Sequence, residues 1–134
     1  MSLASLLTDQ QQRIDELISL LSSEQNLLTQ GDIDGDALSK VALDKQSLLA
    51  ELERIEIVRR NVQKRLGYAE GANGAEAAAQ DAGCQAAWER LLEKSERAAR
   101  MNELTGQMLS VRMKHNQAML DYIRQIAEKT LYKP

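Results

Sequence analysis

The chain has 134 residues, 43% hydrophobic and 28% charged, with a formal net charge of −3. That is one domain, long enough to bury a core, too apolar to be disordered over most of its length, and too acidic to have nucleic acid as its main partner. Aromatics make up 3%, Phe is absent and the only proline is the last residue, Pro134; helix formers dominate over strand formers, so an all-α fold is expected.

The first helix is expected at about 3–30. Leu3, Leu7, Ile14, Leu17, Leu21 and Leu28 follow a 3–4 spacing, interrupted by Gln10 and Glu24. This is an a/d seam of nearly four heptads, and Gly31 can supply the left-handed residue that ends it. The run Gly31-Asp32-Ile33-Asp34-Gly35-Asp36 is the clearest break, with Asp34 or Asp36 able to cap the next helix. That helix spans about 37–66 on Leu38, Val41, Leu48, Leu49, Leu52, Ile55, Val58 or Val62, and Leu66, and closes at Gly67. So short a loop predicts an antiparallel hairpin. Residues 67–83 hold four glycines and no Lys, Arg, Leu, Ile or Val, the composition of a flexible linker. The third helix is expected at about 85–129. At 1.5 Å per residue it is ~65 Å long, about 20 Å more than either hairpin arm, so part of it must overhang, kink or pair elsewhere. The expectation is a single domain over 1–134: an antiparallel hairpin plus a long third helix, three-helix bundle-like.

Charge is uneven: −6 over residues 1–36, +3 over 37–66, −3 over 67–83 and +3 over 84–134. An acidic first helix against a basic second one favours the hairpin. Arg59, Arg60, Lys64 and Arg65 read as a solvated helix end rather than an anion-binding patch.

No chemistry of catalysis survives inspection. Counted from Asp32, the EF-hand positions for Gly and Glu are Ala37 and Leu43. One cysteine, Cys84, leaves no internal disulfide, and with one histidine, His115, there is no Cys/His zinc set. Any Ser-His-Asp or Cys-His-Asn triad would have to run through His115. Glu24 is the one acid on a seam and reads as a register device. No enzyme and no cofactor is expected. No apolar run reaches the ~20 residues that span a bilayer, and the opening residues lack the pattern of a secretory signal, so a cytoplasmic protein without membrane insertion is expected. The third helix is the informative element, because Met101, Met108, Met113 and Met119 stand where a core would use Leu or Phe. Methionine adapts to several shapes and suits a groove for a partner helix.

Two stretches carry a family resemblance. One is G-D-I-D-G-D-A-L followed by Lys45-Gln46-Ser47-Leu48-Leu49-Ala50-Glu51-Leu52-Glu53, with Arg59 and Arg60 after it. The other is Trp88, then Asn102-Glu103-Leu104-Thr105-Gly106 with Leu109, then Asn116-Gln117 with Leu120, then Thr130-Leu131-Tyr132. In order and spacing the chain resembles the FlgN family of flagellar type III export chaperones. It departs at Thr105, where Asn is usual, and at Lys133-Pro134, where the family tail carries Gly. The resemblance implies a cytoplasmic, non-enzymatic chaperone, a monomer or weak homodimer. It would bind the C-terminal helices of hook-associated proteins of the FlgK and FlgL type along the third helix. On this chain that surface is Met101, Asn102, Leu104, Thr105, Met108, Leu109, Val111, Arg112, Asn116 and Met119. Tyr132 would contact an export gate of the FlhA type. The alternative is a structural coiled-coil module that homodimerises through the third helix.

Overall fold

The computed structural model describes residues 2–131, with side chains described to Gln117 and at Asp121 and Arg124 in the last helix. It has four helices: α1 (Leu3–Leu28), α2 (Gly35–Arg65), α3 (Ala72–Asp81) and α4 (Gln85–Leu131). The fold is all-α.

The first two helices start at side-chain caps. Ser2 caps α1, its hydroxyl accepting from the Ser5 amide at 3.1 Å. Asp34 caps α2 by accepting from the Ala37 amide at 3.0 Å, so the cap falls to the first of the two candidate aspartates. Gly31 does not end α1, which stops at Leu28 with Thr29 as its cap; the left-handed glycines are Gly67, Gly71 and Gly83.

The first helix is the hub. Its apolar seam buries Leu3, Leu7, Ile14, Leu17, Leu21 and Leu28. Antiparallel α2 packs on one flank, as Gln10–Glu56, Arg13–Glu51 and Glu24–Lys45 record in descending order. Parallel α4 packs on the other flank, through Asp15–Lys94, Gln25–Thr105 and the bonds from Arg112 to Gln30 and Gly31. Both polar interruptions of the seam are matched across the hairpin. Gln10 donates to Glu56 at 2.6 Å and Glu24 accepts from Lys45 at 2.9 Å. Sliding the arms by one heptad would strand both groups, so they specify register.

Residues 67–83 depart from the flexible-linker expectation. They carry α3, whose Ala75, Ala78 and Ala79 are buried in the same core as Leu3, Leu7 and Trp88. Alanine brings little surface but allows backbones to approach closely, so composition alone hid the contact. Gly74 marks the tightest point, since a Cβ there would sit 1.7 Å from the Ala69 carbonyl oxygen. Gln63, itself buried, donates to the carbonyls of Ala69 and Gly71 at 2.6 and 3.3 Å and ties the turn before α3 to α2.

The basic end of α2 is also not wholly solvated. Arg59 is buried, 5.0 Å from the centre of the Trp88 ring, and bonds to Glu56 and Gln63. A guanidinium stacked on indole gains from the ring's negative face when water is excluded. Burial alone would raise the Glu56 carboxyl. The hydrogen bonds from Arg59 and Gln10, with the charges of Arg59 and Arg60, outweigh it and hold Glu56 below its ordinary value.

Candidate functional site

The last helix has 47 residues against 26 in α1, or ~70 Å against ~39 Å. Because the two run parallel, α4 leaves the bundle where α1 ends. Arg112 marks the point. One of its terminal nitrogens donates to both the Gln30 and Gly31 carbonyls at 3.1 Å. Carbonyls at and just past the end of α1 lack intrahelical partners, so this cation satisfies them and suits the helix dipole. Beyond it, every described side chain from Met113 to Gln117 is exposed.

The exit point is apolar. Leu104, Gln107, Met108, Val111 and Arg112 of α4 join Leu28 of α1 around an open groove of about 350 Å³. Leu104 is 49% exposed and Val111 65%. Leaving such side chains in water costs roughly 1.5–3 kcal/mol each relative to full burial, and a contiguous cluster of them marks an interaction surface.

Residues expected to face a client do not share one surface. Leu104, Met108 and Val111 share the groove. Met101 and Thr105 face α1. Met101 packs on the core, and Thr105 is 2% exposed, accepting from Gln25 at 3.1 Å and donating to the Met101 carbonyl at 2.8 Å. A buried hydroxyl with both partners made is a seam contact, so Thr105 belongs to the bundle and not to the free surface. Arg112 is turned to the α1–α2 tip. Asn102 and Leu109 lie on the far side, where Asn102 accepts from Lys45 at 3.3 Å. Asn116 is exposed past the exit. The Met119 side chain and Tyr132 lie outside the described residues. Leu28 and Gln107 were missed, Leu28 because it reads as an ordinary α1 seam residue. Among the described residues no group of three His, Cys, Asp or Glu could hold a metal ion. No described helix is long and apolar enough to cross a membrane.

The profile of the FlgN protein family matches residues 1–134. The chain belongs to the FlgN family. Among its relatives, the flagella synthesis protein FlgN of Salmonella typhimurium is 29% identical over 119 residues, covering 89% of this chain and 77% of that one. The Escherichia coli FlgN protein is 27% identical over 130 residues, 97% of this chain and 85% of its own. That of Yersinia enterocolitica is 27% identical over 128 residues, 96% and 83%. No solved structure matches the chain. This FlgN chain's Thr105, at the position where the resemblance put Asn, keeps a polar contact through the Gln25 side chain.

Proposed function

We propose that the chain is a flagellar export chaperone whose α4 groove holds the C-terminal amphipathic helix of an unassembled hook-associated protein of the FlgK or FlgL type. Membership of the FlgN family supports the chaperone role. The observation that carries the binding site is the apolar cluster of exposed Leu104 and Val111 with half-buried Met108 beside Leu28, where α4 reaches the end of its packing partner α1. A client helix laid there covers apolar surface on both molecules and keeps the client from associating with its own kind. Burying ~600 Å² at ~25 cal/mol/Å² gives ~15 kcal/mol gross. Association and ordering offset about half, and the ~8 kcal/mol left corresponds to micromolar affinity. That strength holds a subunit and still releases it.

Unassembled subunits are made in the cytoplasm, and the chaperone works there. Tyr132 is the proposed contact with the export gate.

The test is capture of a hook-associated protein, with and without that protein's last few dozen residues. Leu104→Asp and Val111→Asp should each abolish capture while the circular dichroism spectrum is kept, and Tyr132→Ala should leave capture intact but reduce export. Capture that survives both groove substitutions, or that does not need the client's C-terminus, defeats the assignment.

A further inference from the structure

Helices α2 and α4 both pack on α1 but scarcely on each other, which leaves a cleft between them on the other flank of α4 from the groove. Two bridges close its ends. At one, Arg59 of α2 lies over Trp88 of α4, 5.0 Å from the ring centre. At the other, Lys45 of α2 donates to Asn102 of α4 at 3.3 Å. The stretch of α4 from Trp88 to Asn102 is ~21 Å long. Leu49, one heptad before Glu56 on α2, and Leu92 on α4 form apolar lips, 46% and 42% exposed. Below the lips is a cavity of about 210 Å³ walled by Ile14, Leu52, Trp88, Leu91 and Leu92.

The cavity has an unmet polar group. Gln10 lines it, is 5% exposed, and its amide oxygen has no hydrogen-bond donor. Turning the amide over does not help, because its nitrogen donates to the Glu56 carboxylate at 2.6 Å and an ionised carboxylate has no proton to offer the oxygen instead. The charges beside it are already matched. Glu56 also accepts from Arg59 and Arg60, and Arg59 reaches Gln63 as well. What the cavity lacks is a neutral donor carried on an apolar body. Outside the lips the cleft is acidic. Glu89, Glu96 and Glu103 recur every seven residues on α4 beside Leu92 and Ala99, and Glu53 stands next to the α2 lip. All are exposed, and among the described residues none has a cationic partner. Carboxylates at such flanking positions of a helix seam choose the charge of the helix that docks there.

From these features we infer that the α2–α4 cleft takes one basic amphipathic helix of a partner protein, anchored by a tyrosine whose ring fills the cavity and whose hydroxyl donates to Gln10. Tyrosine joins a large apolar ring to a single neutral donor, so one side chain answers both the open volume and the orphaned oxygen. Apolar residues one turn to either side of it cover Leu49 and Leu92. Lysines or arginines on the flanks of the same helix meet Glu89, Glu96 and Glu103 on one lip and Glu53 on the other. Complementary charge of this kind sets orientation and speeds encounter, and it turns an acidic helix away. A second copy of α4 would bring the same row of glutamates. The cleft and the groove share no lining residue, so this site stands independently of the client assignment and both can be filled at once.

Trp88 is the chain's only tryptophan and lines the cavity, so its emission reports whether the cleft is occupied. The probes for the full chain are two synthetic helical peptides of ~18 residues, a length of ~27 Å. Both carry a leucine seam with one central tyrosine; one is flanked by lysines and the other by glutamates. The lysine peptide should shift Trp88 emission saturably and the glutamate peptide should not. Exchanging its tyrosine for phenylalanine, which removes only the hydroxyl, should weaken the lysine peptide several-fold. Leu49→Ala with Leu92→Ala should weaken it about tenfold or more, and Glu96→Lys with Glu103→Lys should reverse the preference between the peptides, each with helix content unchanged. Leu104→Asp, which opens no path to the cleft, should leave the response intact. Emission that neither peptide moves overturns the inference, as does equal binding of the two peptides. So does a response indifferent to the leucine pair or to the loss of the hydroxyl. A response lost in Leu104→Asp would give the peptide to the groove, and self-association of the chain broken by the leucine pair would give the cleft to a second copy; either result also overturns it.

Discussion

Gly74→Ala inverts the usual sign of a glycine-to-alanine change in a helix. In an unobstructed helix the substitution stabilises by ~1 kcal/mol. Here the new methyl would lie 1.7 Å from the Ala69 carbonyl oxygen and 2.6 Å from its carbon. Both are backbone atoms, so α3 must lift away from the turn before it. Lifting breaks the two bonds from Gln63 to Ala69 and Gly71, each worth ~1 kcal/mol net. It also pulls the methyls of Ala75, Ala78 and Ala79 from the core, ~0.8 kcal/mol each. Set against the propensity gain, the net loss is about 3 kcal/mol, or roughly a 10 °C fall in melting temperature for a chain of this size. Urea titration followed by circular dichroism measures it, and hydrogen exchange at 72–81 locates it. The control is Gly106→Ala, which meets open space and should stabilise by ~1 kcal/mol. Equal or greater stability in Gly74→Ala would refute the close packing of α3.

Three further outcomes follow from the polar contacts. Lys45→Met alone leaves the buried Glu24 carboxylate unpaired and should cost about 3 kcal/mol, whereas Lys45→Met with Glu24→Leu should be near neutral by denaturant titration. Thr105→Val keeps the shape but loses the Gln25 and Met101 bonds; it should destabilise by ~1–2 kcal/mol and leave client capture unchanged, where a direct client contact would lose it. Glu56 is held below its ordinary value of 4.5, so the folded state favours its ionised form. Its contribution is complete above that value and is lost as pH falls through the lower folded pKa. Acid titration of stability should therefore show a component below about pH 4.5 that disappears in Glu56→Gln.

Periodicity carried the long helices into view, because Leu3 to Leu28 and Trp88 to Ala98 obey a helical period that tertiary contact then uses. It failed at α3 for a physical reason: alanine buries well when backbones come close, yet it has too little surface to show a stripe. It also misjudged Arg59, since a cation at a helix end looks solvated until the indole that covers it arrives from 29 positions along the chain. On α4 the sequence marked an unusual helix but did not divide its sides. The spacing of Leu104, Thr105, Met108 and Leu109 is compatible with one wide face. Only the placement of α1 divides it into a buried edge at Thr105, an open groove at Leu104 and a separate row at Leu109.

The central place of α1 has a consequence during synthesis. Gln25 bonds residues 76 and 80 positions downstream, and Gln30 one 82 positions on. Translation at ~5–20 residues per second leaves the first helix waiting several seconds for its second neighbour to leave the ribosome. Until then half of its leucine flank stays bare, so the nascent chain passes through an aggregation-prone interval of its own.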